Sequence, residues 1–158
     1  MILEELGVLS TAQDLLAGAV DSENVIDLGA IADVGLNQAW LSIICETANT
    51  GGTTDTYVFD LVISQEATLD TNRKILTVEI TGSADPRIAA IERNIANFEI
   101  GHQLAELVDG TYRYLGLIST LADVNGTAAV SINAAVSPGM PRTRDNVQVT
   151  RSNVTIPS

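Results

Sequence analysis

The side chains that could carry out chemistry are few in this chain of 158 residues. It contains one histidine, His102, and one cysteine, Cys45. These two residues cannot supply the set of soft ligands that a zinc site needs. The turn pattern around His102 places it on the core side of a predicted strand, which is typical of a structural histidine. Cys45 lies in an apolar run and is interpreted as a small buried residue without a disulfide partner.

Carboxylates are abundant, with 20 Asp and Glu residues, but their spacing indicates no active site. No calcium-loop spacing is present, and no pair of carboxylates stands out as the acid and base of a glycosidase. The chain has neither a nucleophile elbow nor a phosphate-binding loop. The sequence therefore predicts a protein that is not an enzyme, with no catalytic residues, no metal and no cofactor.

The net charge is −12, and it is distributed unevenly along the chain. Residues 1–137 carry 5 basic and 19 acidic side chains, a net charge of −14, whereas residues 138–158 carry three arginines and one aspartate. An acidic body opposes electrostatic binding to nucleic acid and to anionic membranes, so neither is expected as a partner. Two interpretations of the acidity stay open: solvation of the surface, or attraction to a basic protein surface.

The first residues are acidic and lack the basic start of a signal peptide. No apolar run approaches the roughly 18 residues that a membrane-spanning helix needs. We therefore expect a protein that is made and folded in a reducing cytoplasm.

Alternation of apolar and polar residues, which is typical of β-strands, runs through most of the chain. The predicted strands are Asn24–Gly29, Ala39–Glu46, Tyr57–Ser64, Ile75–Thr81 and about Ala96–Leu107, with further strands within Leu104–Ser137. Near the start, Ser10 to Gln13 matches a capping box and predicts a short helix through Leu16, but an extended strap is equally compatible. Residues 86–95 are predicted as a short helix with Pro86 in its first turn.

The stretch Leu104–Ser137 contains two turn dipeptides, Asp109-Gly110 and Asn125-Gly126. Such dipeptides supply the positive φ angles of tight hairpin turns, which predicts a three-stranded meander. The predicted opposite pairs are Leu121 and Val130, Leu117 and Ala134, Leu115 and Val136, Glu106 and Arg113, and Leu104 and Leu115. The residues predicted to share one core face are Leu115, Leu117, Leu121, Val130, Ile132, Ala134 and Val136.

Seven or eight short strands with little helix predict an all-β fold, an antiparallel β-sandwich with extended N- and C-terminal segments. We expect the sandwich to span residues 1–137, with an N-terminal strap at residues 1–20. Pro138 should end the last strand, because proline cannot donate to a ladder. Residues 138–158 are then predicted to form a C-terminal arm.

The arm is the candidate interaction segment, because it combines three arginines with alternating apolar residues. We expect it to be mobile in the free protein and to become ordered on a neighbour, in an apolar groove or along a free strand edge. The alternative is that it packs back on its own sandwich. The candidate contact residues are Arg142, Arg144, Val147, Val149, Arg151, Val154 and Ile156.

Four segments of the chain resemble one known family. They are Met1–Gln13, Ser22–Gly29, Gly110–Leu117 and Gly126–Ser131. Together they look like the start and the last hairpin of a family of cement (decoration) proteins of tailed double-stranded DNA phages. The middle of the chain is similar only in its strand pattern, and the arm after Pro138 departs from the family.

The resemblance implies a jelly-roll sandwich on the outer surface of a phage head, made in the host cytoplasm. Its partners would be the major capsid protein, of the HK97-like fold, and other copies of itself, as a dimer first and a trimer second. It would hold capsid subunits together against the pressure of packed DNA. The alternative is a carbohydrate- or receptor-binding β-sandwich of a phage tail or an adhesin, although six aromatic residues are few for a sugar platform.

Overall fold

A computed structural model of the protein describes residues 7–15, 18–28, 39–49, 56–81, 93–99, 112–122, 129–138 and 154–155. This part of the chain is built from strands and contains no helical element. The strands are β1 (Val8–Leu15), β2 (Gly18–Asp21), β3 (Ile26–Asp27), β4 (Ala39–Asn49), β5 (Thr56–Ser64), β6 (Asn72–Thr81), β7 (Arg93–Glu99), β8 (Tyr114–Ala122), β9 (Ala129–Pro138) and β10 (Val154–Thr155).

The strands form two antiparallel sheets. The four-stranded sheet has the order β1-β9-β4-β7, and the six-stranded sheet has the order β10-β6-β5-β8-β2, with β3 also paired to β8. The pairs are nested, because β1 pairs with β9, β2 with β8, β4 with β7 and β5 with β6. Nesting of this kind is the arrangement of a double-sheet jelly roll. The predicted all-β, jelly-roll-like sandwich is confirmed.

The hydrophobic core is shared by strands of both sheets and consists mainly of aliphatic side chains. In β5, Tyr57, Phe59, Leu61 and Ile63 are at most 1% exposed, as their alternation predicts. The seven residues predicted to share a core face in the later strands are all buried as well. Alternation therefore identified the inward face correctly in these strands.

In its described residues, 7–15 and 18–20, the N-terminal strap is extended and not helical. Ser10 and Gln13, which suggested a capping box, lie in strand β1, and the Ser10 hydroxyl donates to Gln13 Oε1 at 2.5 Å. The register against β9 shifts twice along β1, and Ala12 takes a left-handed φ of 48° between Ser10 and Gln13. Such a bulge bends the strand and increases its twist. Beyond it, the chain continues as β2 in the other sheet.

The predicted pairing of the meander is wrong, although its faces are right. Strand β8 pairs with β5 on one side and with β2 and β3 on the other, while β9 lies in the other sheet. Leu121 is therefore opposite Tyr57 and Gly18, and not opposite Val130. The segment that holds Asn125-Gly126 connects two sheets, so its turn chemistry does not set a hairpin register.

The pairing predicted from Asp109-Gly110 is also contradicted at its described end. Leu115 is opposite Ile26 on one side and Ile63 on the other, so both edges of its strand are occupied and Leu104 is not its partner. Arg113 makes its ion pair with Asp27. Residues 104 and 106 themselves lie outside the described residues.

The helix predicted for residues 86–95 is wrong at its C-terminal end. Strand β7 begins at Arg93 and pairs with β4, with Phe98 opposite Leu41. The apolar spacing of a helix was present here, but pairing along β4 satisfies the backbone of these residues in an extended conformation. Residues 86–92 lie outside the described residues.

The C-terminal arm returns to its own sandwich at one point. Strand β9 ends at Pro138, as predicted. Val154 and Thr155 then pair with Val78 and Thr77 of β6, at the edge of the six-stranded sheet. These two residues therefore follow the alternative, in which the arm packs back on its own sandwich, and they do so as a strand. The addition of the arm to a neighbour stays a prediction. Residues 139–153 lie outside the described residues.

Candidate functional site

The described residues contain no cluster of metal-ligating side chains, and none of their segments is a helix that could cross a membrane. His102 lies outside these residues, and only the backbone of Cys45 is described. The predicted absence of a metal site, of a cofactor and of catalysis stays a prediction.

Of the seven candidate contact residues, the structure places one. Val154 lies in β10, opposite Val78 of the same chain. The other six lie outside the described residues; they are Arg142, Arg144, Val147, Val149, Arg151 and Ile156.

The outer edge of β6 is the first surface with a capacity for interaction. It is a strand of 10 residues, whereas its described neighbour β10 has 2. Backbone N–H and C=O groups on a strand edge can pair with an added strand. The β10 residues of the same chain already pair along part of this edge. An added strand would lie along the same side of β6.

A set of hydrogen bonds fastens β1 to the end of β2 and to the residues that follow it. Gln13 Nε2 donates to the Asp21 carbonyl at 2.7 Å, and the backbone N–H of Thr11 donates to Glu23 Oε2 at 2.9 Å. The backbone N–H of Asn24 donates to the Leu9 carbonyl at 2.9 Å. These bonds hold the edges of the two sheets together on the side where the chain passes from one to the other.

The outer face of the six-stranded sheet is charged and partly covered. Asp60, which is 5% exposed, accepts a hydrogen bond from Thr77 at 2.5 Å and forms an ion pair with Lys74 at 2.6 Å. Pairing satisfies this buried carboxylate, which would otherwise be costly. Nearby, Leu69 packs over Gly116 and is itself buried. The protein's own side chains therefore cover part of this face.

At one end of the same sheet, the side chain of Arg113 links β3 and β8. Its guanidinium donates two hydrogen bonds to Asp27, at 2.8 and 2.6 Å, and lies over the Tyr114 ring at 5.4 Å. These hydrogen bonds, together with the negative charge of Asp27, raise the pKa of Arg113 above its usual value. A base with a raised pKa keeps its proton, so Arg113 stays charged at any pH below about 12.

The outer face of the four-stranded sheet has a different character. In one row across the strands, Ala135 of β9 lies between Val8 of β1 and Ser42 of β4. In the next row, Ile44 is opposite Asn133. These side chains line a shallow groove of about 170 Å³, together with Ser10, Thr11 and Ala134. None of these lining residues carries a charge.

Two polar groups in this groove have different environments. Asn133 accepts a hydrogen bond through Oδ1 from the backbone N–H of Ala12 at 2.8 Å. Ser42 is 7% exposed, and its Oγ has no hydrogen-bond partner among the described residues. The core face predicted for β9 leaves Asn133 and Ala135 on its outward face, but the sequence does not single out the groove. The available sequence signal was the small size of the outward residues. It does not indicate which of these residues are opposite each other on neighbouring strands.

Comparison with known proteins finds no match: no family model matches the sequence, and no curated protein matches it.

Proposed function

We propose that the protein is a capsid cement protein, which binds the outside of a phage head and stabilises contacts between subunits of the major capsid protein. The observation that carries the proposal is the resemblance of four sequence segments to that family. It rests on sequence, and two features of the fold are compatible with it.

The first feature is where the resembling segments lie. They are separated by about 80 residues in the sequence. In the fold, the strands within or next to them are direct neighbours, since β1 pairs with β9, and β2 and β3 pair with β8. The resemblance therefore concentrates on one contiguous part of the sandwich, as expected for a shared structural unit and not for scattered chance matches.

The second feature is the combination of a β-sandwich fold with a strongly acidic body. A rigid sandwich with an acidic body would bind a protein lattice through many modest contacts, which repetition over a shell turns into strong retention. Nucleic acid and membrane are not proposed as partners, because a net charge of −12 opposes both. Residence on the outer surface of the head follows from this function.

Other copies of the protein are the second proposed partner, as a dimer first and a trimer second. Two-fold positions of a shell bring two copies together through self-complementary contacts. A reconstruction of decorated shells would count the copies at each position. Isolated monomers without mutual contacts would contradict this part of the proposal and leave the cement function intact.

The direct test is incubation of the purified protein with expanded capsids of the cognate phage that lack it. The expected result is saturable co-sedimentation and a higher temperature of capsid disruption. Capsids that neither bind the protein nor gain stability would contradict the function. A glycan array run in parallel tests the alternative of a carbohydrate-binding module, for which specific binding to one glycan class would be the decisive result.

A further inference from the structure

Strand β10 is two residues long and pairs in the middle of a much longer edge. Val154 and Thr155 lie opposite Val78 and Thr77 of β6, a strand of 10 residues whose other side pairs with β5. A contact of two cross-strand pairs is modest, and elements with few contacts are the first to open in a folded protein. The edge of β6 is therefore a site from which its own strand can leave and to which a strand can return.

The occupant of this edge is defined by the strand that the structure places there. Val78 is 0% exposed, so the strand that pairs with it lies at the border of the hydrophobic core. The adjacent Glu79 is exposed, and residues 1–137 carry a net charge of −14. Residues 138–158, which include β10, have three arginines against one aspartate. Charge complementarity therefore favours a C-terminal arm of this chain, from the same copy or from another, over a segment of an acidic protein.

The connection to β10 is long enough to reach either copy. Strand β9 ends at Pro138 as an inner strand of the four-stranded sheet, and β10 lies at the edge of the six-stranded sheet. Residues 139–153 join them. An extended segment of that length reaches roughly 50 Å, whereas a folded body the size of residues 1–137 has a radius of gyration of roughly 14 Å. Residue 154 can thus reach β6 of an adjacent copy as well as β6 of its own.

An exchange of β10 between two copies breaks and forms the same contacts. Each copy gives up the pairing of β10 with its own β6 and gains the identical pairing with β6 of the other copy. The balance is then set by the effective concentration of the tethered strand, which is on the order of millimolar. Copies held side by side on a shell present their strands to each other at a similar concentration, whereas dilute copies do not. Exchange also places two basic arms between two acidic bodies, which lowers the repulsion between the bodies.

We propose that the C-terminal strand of one copy pairs with β6 of a second copy, in a reciprocal exchange that links two molecules around a two-fold axis. Val154 and Thr155 of each copy then lie opposite Val78 and Thr77 of the other copy. This rests on the self-association in the proposed function and specifies the contact through which it occurs. The protein is a closed monomer when it is dilute and an exchanged dimer when it is crowded.

The test uses single cysteines at opposite positions of this ladder, in a Cys45→Ala background. One protein carries Thr77→Cys and a second carries Thr155→Cys. Opposite residues of an antiparallel pair have Cα atoms about 4.5–5.5 Å apart, which is within the range of a disulfide. The two proteins are mixed at about 1 mM or at about 1 μM and then oxidised, and we expect a heterodisulfide at the higher concentration alone.

Two controls accompany this mixture. Thr120→Cys is also half-buried but lies on β8, so in place of Thr77→Cys it should give at least about tenfold less heterodisulfide. A double variant with Thr77→Cys and Thr155→Cys in one chain should close an intramolecular disulfide when it is dilute. This closure shows that the substitutions preserve the ladder.

A second pair of variants tests the same contact without cysteines. Val154→Asp places a carboxylate opposite a buried valine on an acidic body, which leaves neither the closed monomer nor the exchanged dimer with its strand. Sedimentation should then show dimerisation weakened at least about tenfold. Ser158→Asp makes the same charge change outside the described ladder and should leave dimerisation within about threefold of the parent protein. Thermal melting checks that both variants fold.

The outcomes separate the exchange from the cement function. Heterodisulfide no more abundant than in the Thr120→Cys control overturns the exchange and leaves the cement function untouched. A dimer that persists in Val154→Asp uses another surface and also overturns the exchange. If Thr77→Cys, labelled with a benzophenone maleimide, cross-links on expanded capsids to the major capsid protein and not to a second copy, the occupant is a capsid segment and the proposal is wrong. An exchange seen in solution, with a parent protein that does not bind capsids, supports the exchange and contradicts the cement function.

Discussion

At Gly116 the outer layer of the six-stranded sheet leaves no room for a side chain. A Cβ built there would lie 2.5 Å from Leu69 Cδ1 and 3.2 Å from Leu69 Cγ. Leu69 sits in the turn before β6 with a φ of 58°, so its backbone has little freedom to retreat. We expect Gly116→Ala to lower the free energy of unfolding by about 1–3 kcal/mol through overpacking, measured by reversible denaturation.

The control for this prediction is the same change after Leu69 has been shortened. Leu69→Ala removes the atoms that a Cβ at position 116 would meet. The cost of Gly116→Ala should then fall close to zero, which appears as non-additivity in a double-mutant cycle. Equal costs in both backgrounds would show that Gly116 is needed for its backbone and not for the space above it.

At the scale of elements, strand β1 decides whether the N-terminal strap belongs to the domain. Leu9 is 0% exposed and packs in the core, whereas Thr11 of the same strand is exposed. We expect Leu9→Ala to lower the free energy of unfolding by about 2–5 kcal/mol, because it leaves a cavity in the core. Thr11→Ala, the matched control, should change it by less than about 0.5 kcal/mol. A small effect of Leu9→Ala would mean that the strap lies outside the cooperative unit.

The same strand shows what local sequence could and could not predict. Alternation predicted which residues of β5, β6, β8 and β9 point inward, because one face of each strand must be apolar whatever its neighbours are. Alternation does not predict which strands pair, since the partner of a jelly-roll strand usually comes from a distant part of the chain. Among the strands that the structure describes, only β5 and β6 are both consecutive and paired, through the turn at residues 65–71. Elsewhere, the dipeptide Asn125-Gly126 predicts a hairpin turn, although the strands before and after it lie in different sheets.

The interaction surfaces were less accessible to sequence reasoning than the fold. The arm stood out because its composition changes at Pro138, and its tendency to form a strand is confirmed by β10. Which edge it joins depends on β6 being an outer strand of its own sheet, a property of the whole topology. The groove around Ser42 depends on register across β1, β9 and β4 and on a bulge at Ala12, which no single segment specifies.

At the scale of the whole molecule, the sandwich and its arm carry opposite charge. Residues 1–137 have a net charge of −14, and residues 138–158 have three arginines against one aspartate. Removal of residues 139–158 would also remove the pairing of β10 with β6, two cross-strand pairs that contribute about 2 kcal/mol at most in total. Truncation would therefore remove the strand pairing and the charge of the arm at the same time. A substitution that changes only the charge is needed to test the arginines.

Replacing Arg142, Arg144 and Arg151 by glutamine makes that separation, because Val154 and Thr155 stay in place to pair with β6. If the arginines meet carboxylates of the capsid protein, the triple variant should melt like the parent protein but bind capsids more weakly at low salt. Its binding should also fall less steeply as salt is added, since screening weakens only the ion pairs that remain. Asp145→Asn, which makes the arm more basic, should have the opposite effect on binding at low salt. A triple variant with the affinity and salt dependence of the parent protein would show that the arm contributes no charge contact to binding.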